Sequence, residues 1–320
     1  MASTVMKPVV RRARKAGSWY EESPRVLDQQ LTNWLSKAGQ PQFSPAKAII
    51  SPHAGYQYCG SCAAHAYKEL DSRVSKIFIL GPSHYVRLSG IVLSPATIYE
   101  TPLGNLNIDH EIYQQLYATN LFEEMTLSAD EEEHSIELQL PFIFKAMSNR
   151  TEPYTIVPMM VGSLKSDREA EYGKILSKYL ADPEIAFVIS SDFCHWGQRF
   201  SYQFYDRSWG KIYQSIERLD KLGMKAIKDL KTDSFRSYIK TYGNTICGRH
   251  PIGVLLAAVE HLHQQRSQDP SKPQYRIKFL NYSQSSKCQH MQDSSVSYTA
   301  ASLKESSDQA PDQLDDIVDI

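Results

Sequence analysis

The chain has 320 residues, which at about 150 residues per domain means one large domain or two small ones. Its 42% hydrophobic, 11% aromatic and 22% charged residues exclude the disordered, collagenous and membrane-embedded classes. With 35 Lys and Arg against 36 Asp and Glu the net charge is −1, so the cationic surplus of a phosphate-tracking protein is missing and nucleic acid is not an expected partner.

Five cysteines, odd in number and scattered, make no disulfide framework and point to a reducing compartment. No apolar run approaches the roughly 18 residues of a membrane span. The first residues mix Thr4, Lys7 and Pro8 with Arg11, Arg12, Arg14 and Lys15 and do not read as a signal peptide. A cytoplasmic protein without membrane insertion is therefore expected, and the basic stretch leaves nuclear entry open. No repeat and no Gly/Ser linker divides the chain. The expected organisation is a flexible basic segment over residues 1–15, one folded domain over 16–303, and a disordered acidic tail over 304–320 rich in Asp, Ser and Gln.

In chain order, helical periodicity begins at residues 23–38, where Ser23-Pro24 supplies a cap followed by Pro at the first helical position. A short apolar strand follows at 48–51, then a helix at 60–70, strands at 76–80 and 90–94, and helices at 109–118 and 135–147. Strands at 155–161 and 186–190 alternate with helices at 168–180, 208–222, 233–241 and 251–263, and the pattern closes with strands at 275–282 and 295–300. Short β-rich runs alternating with helices predict an α/β fold with a mostly parallel central sheet flanked by helices.

In such sheets the ligand site lies beyond the carboxyl ends of the strands. Three strands release a histidine there: Pro52-His53-Ala54-Gly55-Tyr56, Gly81-Pro82-Ser83-His84, and Ser191-Asp192-Phe193-Cys194-His195-Trp196-Gly197. Flanking Gly and Pro let the chain turn tightly, so His53, His84 and His195 are expected in one pocket. Cys247, in Asn244-Thr245-Ile246-Cys247-Gly248-Arg249-His250-Pro251, precedes a helix whose dipole favours thiolate. The run Asp130-Glu131-Glu132-Glu133 reads as a solvated loop or first-turn acid cluster. His134 and Glu137, three apart on one helix face, can bind metal or cap a helix. Cys59 and Cys62 have redox spacing, but without a second such pair they read as helix-entrance packing. His65, His110, His261, His263 and His290 read as structural or surface residues. Two histidines and one anionic ligand suit non-haem iron(II), and a cysteine in the third place also admits copper and zinc.

These motifs, together with Ala16-Gly17-Ser18-Trp19-Tyr20 and Glu133-His134-Ser135-Ile136-Glu137, closely resemble the Memo family, named as mediators of receptor-tyrosine-kinase-driven cell motility. The resemblance implies a fold similar to class III extradiol dioxygenases, with His53, His84 and Cys247 as metal ligands and Asp192 and His195 lining the pocket. Because cysteine stands where the dioxygenases carry a carboxylate, ring cleavage does not transfer with the fold. What the family implies instead is iron or copper binding, a link to cellular redox state, and a role in receptor signalling, cytoskeletal control and migration.

In an oxygenase-like reaction His195 is the candidate general acid/base, with Asp192 orienting it or facing a metal-bound water. Turnover as a metal-dependent oxidoreductase is one alternative. The others are a metal chaperone or buffer, and an adaptor that holds a phosphotyrosine peptide or a signalling or cytoskeletal protein, with Arg199 and Arg249 as anion contacts. Simple hydrolysis is disfavoured, since neither a G-x-S-x-G elbow nor an H-E-x-x-H motif is present.

Overall fold

The structure, a computed structural model, describes residues 8–269 and 274–306. Its strands are β1 (Val10–Arg11), β2 (Ala48–Ser51), β3 (Lys76–Pro82), β4 (Ile91–Leu93), β5 (Ile98–Thr101), β6 (Gly104–Asn107), β7 (Phe122–Glu124), β8 (Thr155–Val161), β9 (Ile185–Ser190), β10 (His195–Trp196), β11 (Gln274–Gln284) and β12 (Ser295–Ser306). The helices are α1 (Pro24–Lys37), α2 (Tyr56–Tyr67), α3 (His110–Tyr117), α4 (Leu127–Glu132), α5 (Leu140–Ala146), α6 (Ser166–Leu180), α7 (Ile212–Lys228), α8 (Thr232–Tyr242) and α9 (Arg249–Gln268).

A parallel core of β2, β9, β3 and β8, in that order, forms the middle of the large sheet. These strands are buried along almost their whole length. That is why they read as unbroken apolar runs rather than alternating ones: helices cover the sheet and leave no solvent face. Helix α2 packs on β2, β11 and β12, and α9 on β3, β9 and β11. The fold is thus the expected α/β type with a central sheet flanked by helices. Its margins are antiparallel, with β12 running against β2 and β11, and β4 against β8. Close helix packing is bought with glycine at Gly173 of α6, where a Cβ would lie 2.5 Å from that of Ala257 on α9.

Three expectations need correction. Residues 8–15 are not a loose segment: β1 pairs in parallel with β5 in a second sheet completed by β6, and the Arg11 side chain is wholly buried. At the other end β12 continues to Ser306 and carries residues 304–306 into the fold, while 1–7 and 307–320 lie outside the described residues. The helix expected over 135–147 is a 3-10 turn at Glu137–Gln139 followed by α5. Pro141 dictates the restart, since it lacks an N–H and fits only the first turn of a helix. Asp109 caps α3 as expected, accepting the Ile112 N–H at 2.9 Å, whereas Ser23 makes no side-chain cap bond.

Candidate metal centre

The carboxyl ends of β2, β3 and β9 bring three chain segments together. His53 leaves β2 and is 1% exposed. Its backbone N–H donates to Asp192 Oδ1 at 2.8 Å, and its ring Nδ1 lies 2.7 Å from Ser190 Oγ. The Ser190 hydroxyl settles the tautomer. It donates its one proton to the Ser135 carbonyl at 2.6 Å and accepts from Gln139 Nε2 at 2.8 Å, so it must also accept from His53. The His53 proton therefore sits on Nδ1, and Nε2 presents a lone pair. Burial, reinforced by His84, His134 and His195, pushes this ring well below the usual imidazole range and keeps it neutral.

His84 follows β3 at the rim, with 32% of its side chain exposed. Glu133 holds it twice, accepting its backbone N–H at 2.6 Å and its Nδ1–H at 2.9 Å. The same carboxylate accepts the backbone N–H groups of His134 and Ser135, each at 2.9 Å. Burial opposes charge on both partners, but these bonds win: Glu133 is brought down to about 2. His84, held by Cys247 and Glu133, is brought up to about 10. With Nδ1 committed to Glu133, His84 also turns Nε2 to the pocket.

The third ring is His134. Its ligand atom lies with those of His53 and His84 in a group within 4.8 Å of one another, the metal-capable cluster found among the described residues. It stacks on His84 with ring centroids 4.5 Å apart and packs at a tilt against Trp19 at the same distance. Burial and the neighbouring His84 bring it down to about 4, so it is neutral at pH 7.

Cys247 sits immediately before Gly248, the cap of α9. Its Sγ lies 3.2 Å from His53 Nε2 and accepts the Asp192 N–H at 3.2 Å. A Cβ at Gly248 would approach the Ser190 carbonyl oxygen to 2.6 Å, so only glycine lets the chain bring the sulfur this close. The expected thiolate is corrected here: burial raises the Cys247 thiol, and contact with His84 only partly opposes it. With His53 Nε2 unprotonated, the S–H donates to it.

Asp192 does not orient His195. Its carboxylate serves His53, and the His195 Nδ1–H is directed by the carbonyls of Phe193 at 2.9 Å and Thr245 at 3.2 Å. Burial raises the Asp192 carboxyl above its usual range, with the nearby His195 opposing it. Arg199 lines a cavity of about 630 Å³ beside the centre together with Trp19, Tyr20, Tyr58 and Tyr298. Arg249 is exposed in the first turn of α9 and does not line it. Cys59 and Cys62 are buried within α2, as packing residues are.

The acid run is also corrected. Asp130 and Glu133 are each 1% exposed and Glu137 is 0% exposed. Asp130 and Glu137 are buried because the Arg11 guanidinium pairs with them, at 3.1 Å and 2.8 Å, whereas the Glu133 carboxylate pairs with His84. The roles of Glu133, Ser190, Gln139 and Arg11 were not foreseen in the sequence. The available signal was the adjacency of Glu133 to His134 and of Ser190 to a strand end.

These donors fit a first-row transition metal. The chain offers the His53 Nε2 lone pair, the Nε2 of His84 once its proton is lost, a third neutral imidazole and a thiol, a set that accepts iron(II), copper or zinc.

An α/β domain with a cluster of histidines and one cysteine at the carboxyl edge of its sheet has matches among known proteins. The family model described as "Memo-like protein" matches residues 11–302. "Protein MEMO1" of Homo sapiens is 56% identical over 296 residues, 92% of this chain and 97% of that one. The protein of the same name from Danio rerio is 55% identical over the same span and shares of chain. The "Protein memo-1 homolog" of Caenorhabditis elegans is 49% identical over 295 residues, 92% of this chain and 82% of that one. The chain belongs to the Memo family. Among solved structures, an uncharacterised Escherichia coli protein aligns with TM-score 0.47 and 14% identity, covering 79% of this chain and 98% of that one. No helix among the described residues is long and apolar enough to cross a membrane.

Proposed function

We propose that the protein binds iron(II) or copper, with zinc as a competitor, through His53, His84 and Cys247, and that this load links it to cellular redox state. The observation that carries the reading is the pair of tautomer locks. Ser190 and Glu133 turn His53 Nε2 and His84 Nε2 toward the pocket, with the Cys247 sulfur 3.2 Å from the first. Core histidines serving only packing have no need of two such orienting partners. A bound metal of this class supplies Lewis acidity and, for iron or copper, one-electron exchange. The chain's part would be to hold it between fixed nitrogens, to give up the Cys247 proton and the His84 Nε2 proton to solvent as those atoms become ligands, and to offer His195 for proton transfer. As a member of the Memo family the protein then acts, on this reading, in the cytoplasm in receptor signalling, cytoskeletal control and cell migration.

Anaerobic titration of iron(II), copper(I) and zinc(II) into the wild type and into His53→Ala, His84→Ala, His134→Ala and Cys247→Ala tests it. Stoichiometric binding lost in the His53, His84 and Cys247 variants supports the assigned ligands. Loss in His134→Ala with retention in Cys247→Ala would replace the cysteine by the third histidine. Binding indifferent to all four would end the metal reading, and oxygen consumption by the loaded protein separates a redox enzyme from a chaperone or buffer.

A second reading rests on the cavity beside the centre. Arg199 and the rings of Trp19 and Tyr58 supply a cation and aromatic walls to about 630 Å³, the chemistry that holds a phosphotyrosine side chain in a metal-independent adaptor. Phosphotyrosine-peptide affinity that survives chelation and falls in Arg199→Ala would favour it.

A further inference from the structure

We propose that Arg11 is a positioning residue for the metal centre, clamping the 130–137 segment so that Glu133 keeps its hold on His84 and His134. The last step, toward metal affinity, rests on the proposed function; the clamp itself does not.

The guanidinium is wholly buried and every one of its five N–H groups is spent. One goes to the carbonyl of Arg12 at 3.0 Å. The other four go to the acid segment: Asp130 Oδ1 at 3.1 Å, Glu137 Oε2 at 2.8 Å, and the backbone carbonyls of Asp130 at 2.9 Å and Glu133 at 2.8 Å. Bonds to carbonyls fix where the main chain runs, and so where the Glu133 side chain starts. From there the Glu133 carboxylate gathers the His84 N–H, the His84 Nδ1–H and the His134 N–H. The far ends of the clamp are closed as well. Asp130 accepts from Tyr99 at 2.8 Å and Ser94 at 2.5 Å, and Glu137 from the Lys15 N–H at 2.7 Å and Tyr20 at 3.0 Å. The same N-terminal stretch brings Trp19 onto the outer face of His134. A lysine cannot replace this fork, because its three donors radiate from one point.

The test uses full-length metal-free protein labelled with nitrogen-15 in its histidines. Two ring protons are followed, the His84 Nδ1–H held by Glu133 and the His53 Nδ1–H held by Ser190, which Arg11 does not touch. In Arg11→Lys the His84 proton is expected to be lost to exchange with solvent while the His53 proton persists, and zinc(II) affinity is expected to fall about 10–100-fold. A folded variant that keeps both protons and wild-type zinc affinity would overturn the proposal. Loss of both protons together would overturn it too, since that is general loosening. Should Arg11→Lys fail to fold, R11M/D130N/E137Q removes the guanidinium without stranding buried charge, and the same two protons are read. If the wild type binds no zinc, the metal reading fails while the proton pair still decides the clamp.

Discussion

Asp220 is wholly buried on α7, behind the segments that carry His195 and Cys247. Its carboxylate accepts the Cys194 N–H at 3.3 Å, Asn244 Nδ2 at 3.0 Å and the Tyr282 hydroxyl at 3.0 Å. Burial raises its carboxyl from 3.8 to about 6, with the hydrogen bonds only partly opposing. The sign follows from linkage. A carboxyl raised on folding binds more protons folded than unfolded between those values, so it lowers stability as pH rises through that window and the full cost is present above about pH 6. At about 1.36 kcal/mol per pH unit the gap is worth about 3 kcal/mol. Asp220→Asn removes the charge and keeps the shape. Its oxygen accepts from Cys194 and Asn244, and its amide meets the Tyr282 oxygen, whose own proton has Ser297 Oγ at 3.3 Å. The variant is expected to be more stable than wild type by about 2–3 kcal/mol at pH 7.5 and nearly equal to it at pH 4. Urea unfolding of both proteins at the two pH values measures this. A variant that is less stable at pH 7.5, or whose advantage is the same at pH 4, refutes the reasoning.

Ser190→Ala removes the acceptor that fixes the His53 tautomer, and zinc(II) affinity is expected to fall about 10–100-fold with the fold retained, read by competition with a chromophoric chelator. Gly248→Ala drives a Cβ toward the Ser190 carbonyl oxygen and is expected to cost about 1–3 kcal/mol. The cobalt(II)-substituted variant should lack the thiolate charge-transfer band, and an unchanged band would mean the sulfur does not need this approach. Trp19, 37% exposed, packs a tilted ring on His134, and a Trp19→Ala/His134→Ala double-mutant cycle is expected to give a coupling of about 0.5–1.5 kcal/mol. Thermal denaturation of the wild type and the three variants measures that coupling, and a value near zero would mean the ring contact adds nothing beyond buried area.

The parallel core was legible because both faces of β3, β8 and β9 are covered and their sequences are accordingly apolar throughout. The histidines were legible because topology puts strand ends at one edge, so His53 and His84 converge whatever the loops do. Charge burial was not legible. Asp130, Glu133 and Glu137 look solvated in isolation; the cation that pairs with Asp130 and Glu137 lies 119 residues upstream of Asp130, and Glu133 is paired with His84. No local pattern reports a partner at that distance. The short strands β5 and β6 were missed for a related reason: Gly104–Asn107 carries one buried residue and shows no alternation worth reading. For Cys247 the local argument pointed the wrong way. The start of α9 favours thiolate by a modest amount, whereas partial enclosure between His53 and Asp192 strips much of the solvent a thiolate needs and raises the thiol.

That reversal bears on what a cysteine, rather than a carboxylate, would mean for the third position of the proposed centre. In the metal-free protein the thiol is neutral, donating to His53 Nε2 and accepting from the Asp192 N–H. A carboxylate there would add a buried anion beside Asp192, whose own carboxyl burial already raises, and without metal such a charge costs several kcal/mol. On the proposed function, the thiol would avoid that cost without metal and would release its proton on binding a cation. If the proposed metal reading holds, a centre built this way would keep its fold both loaded and empty, which suits reversible loading.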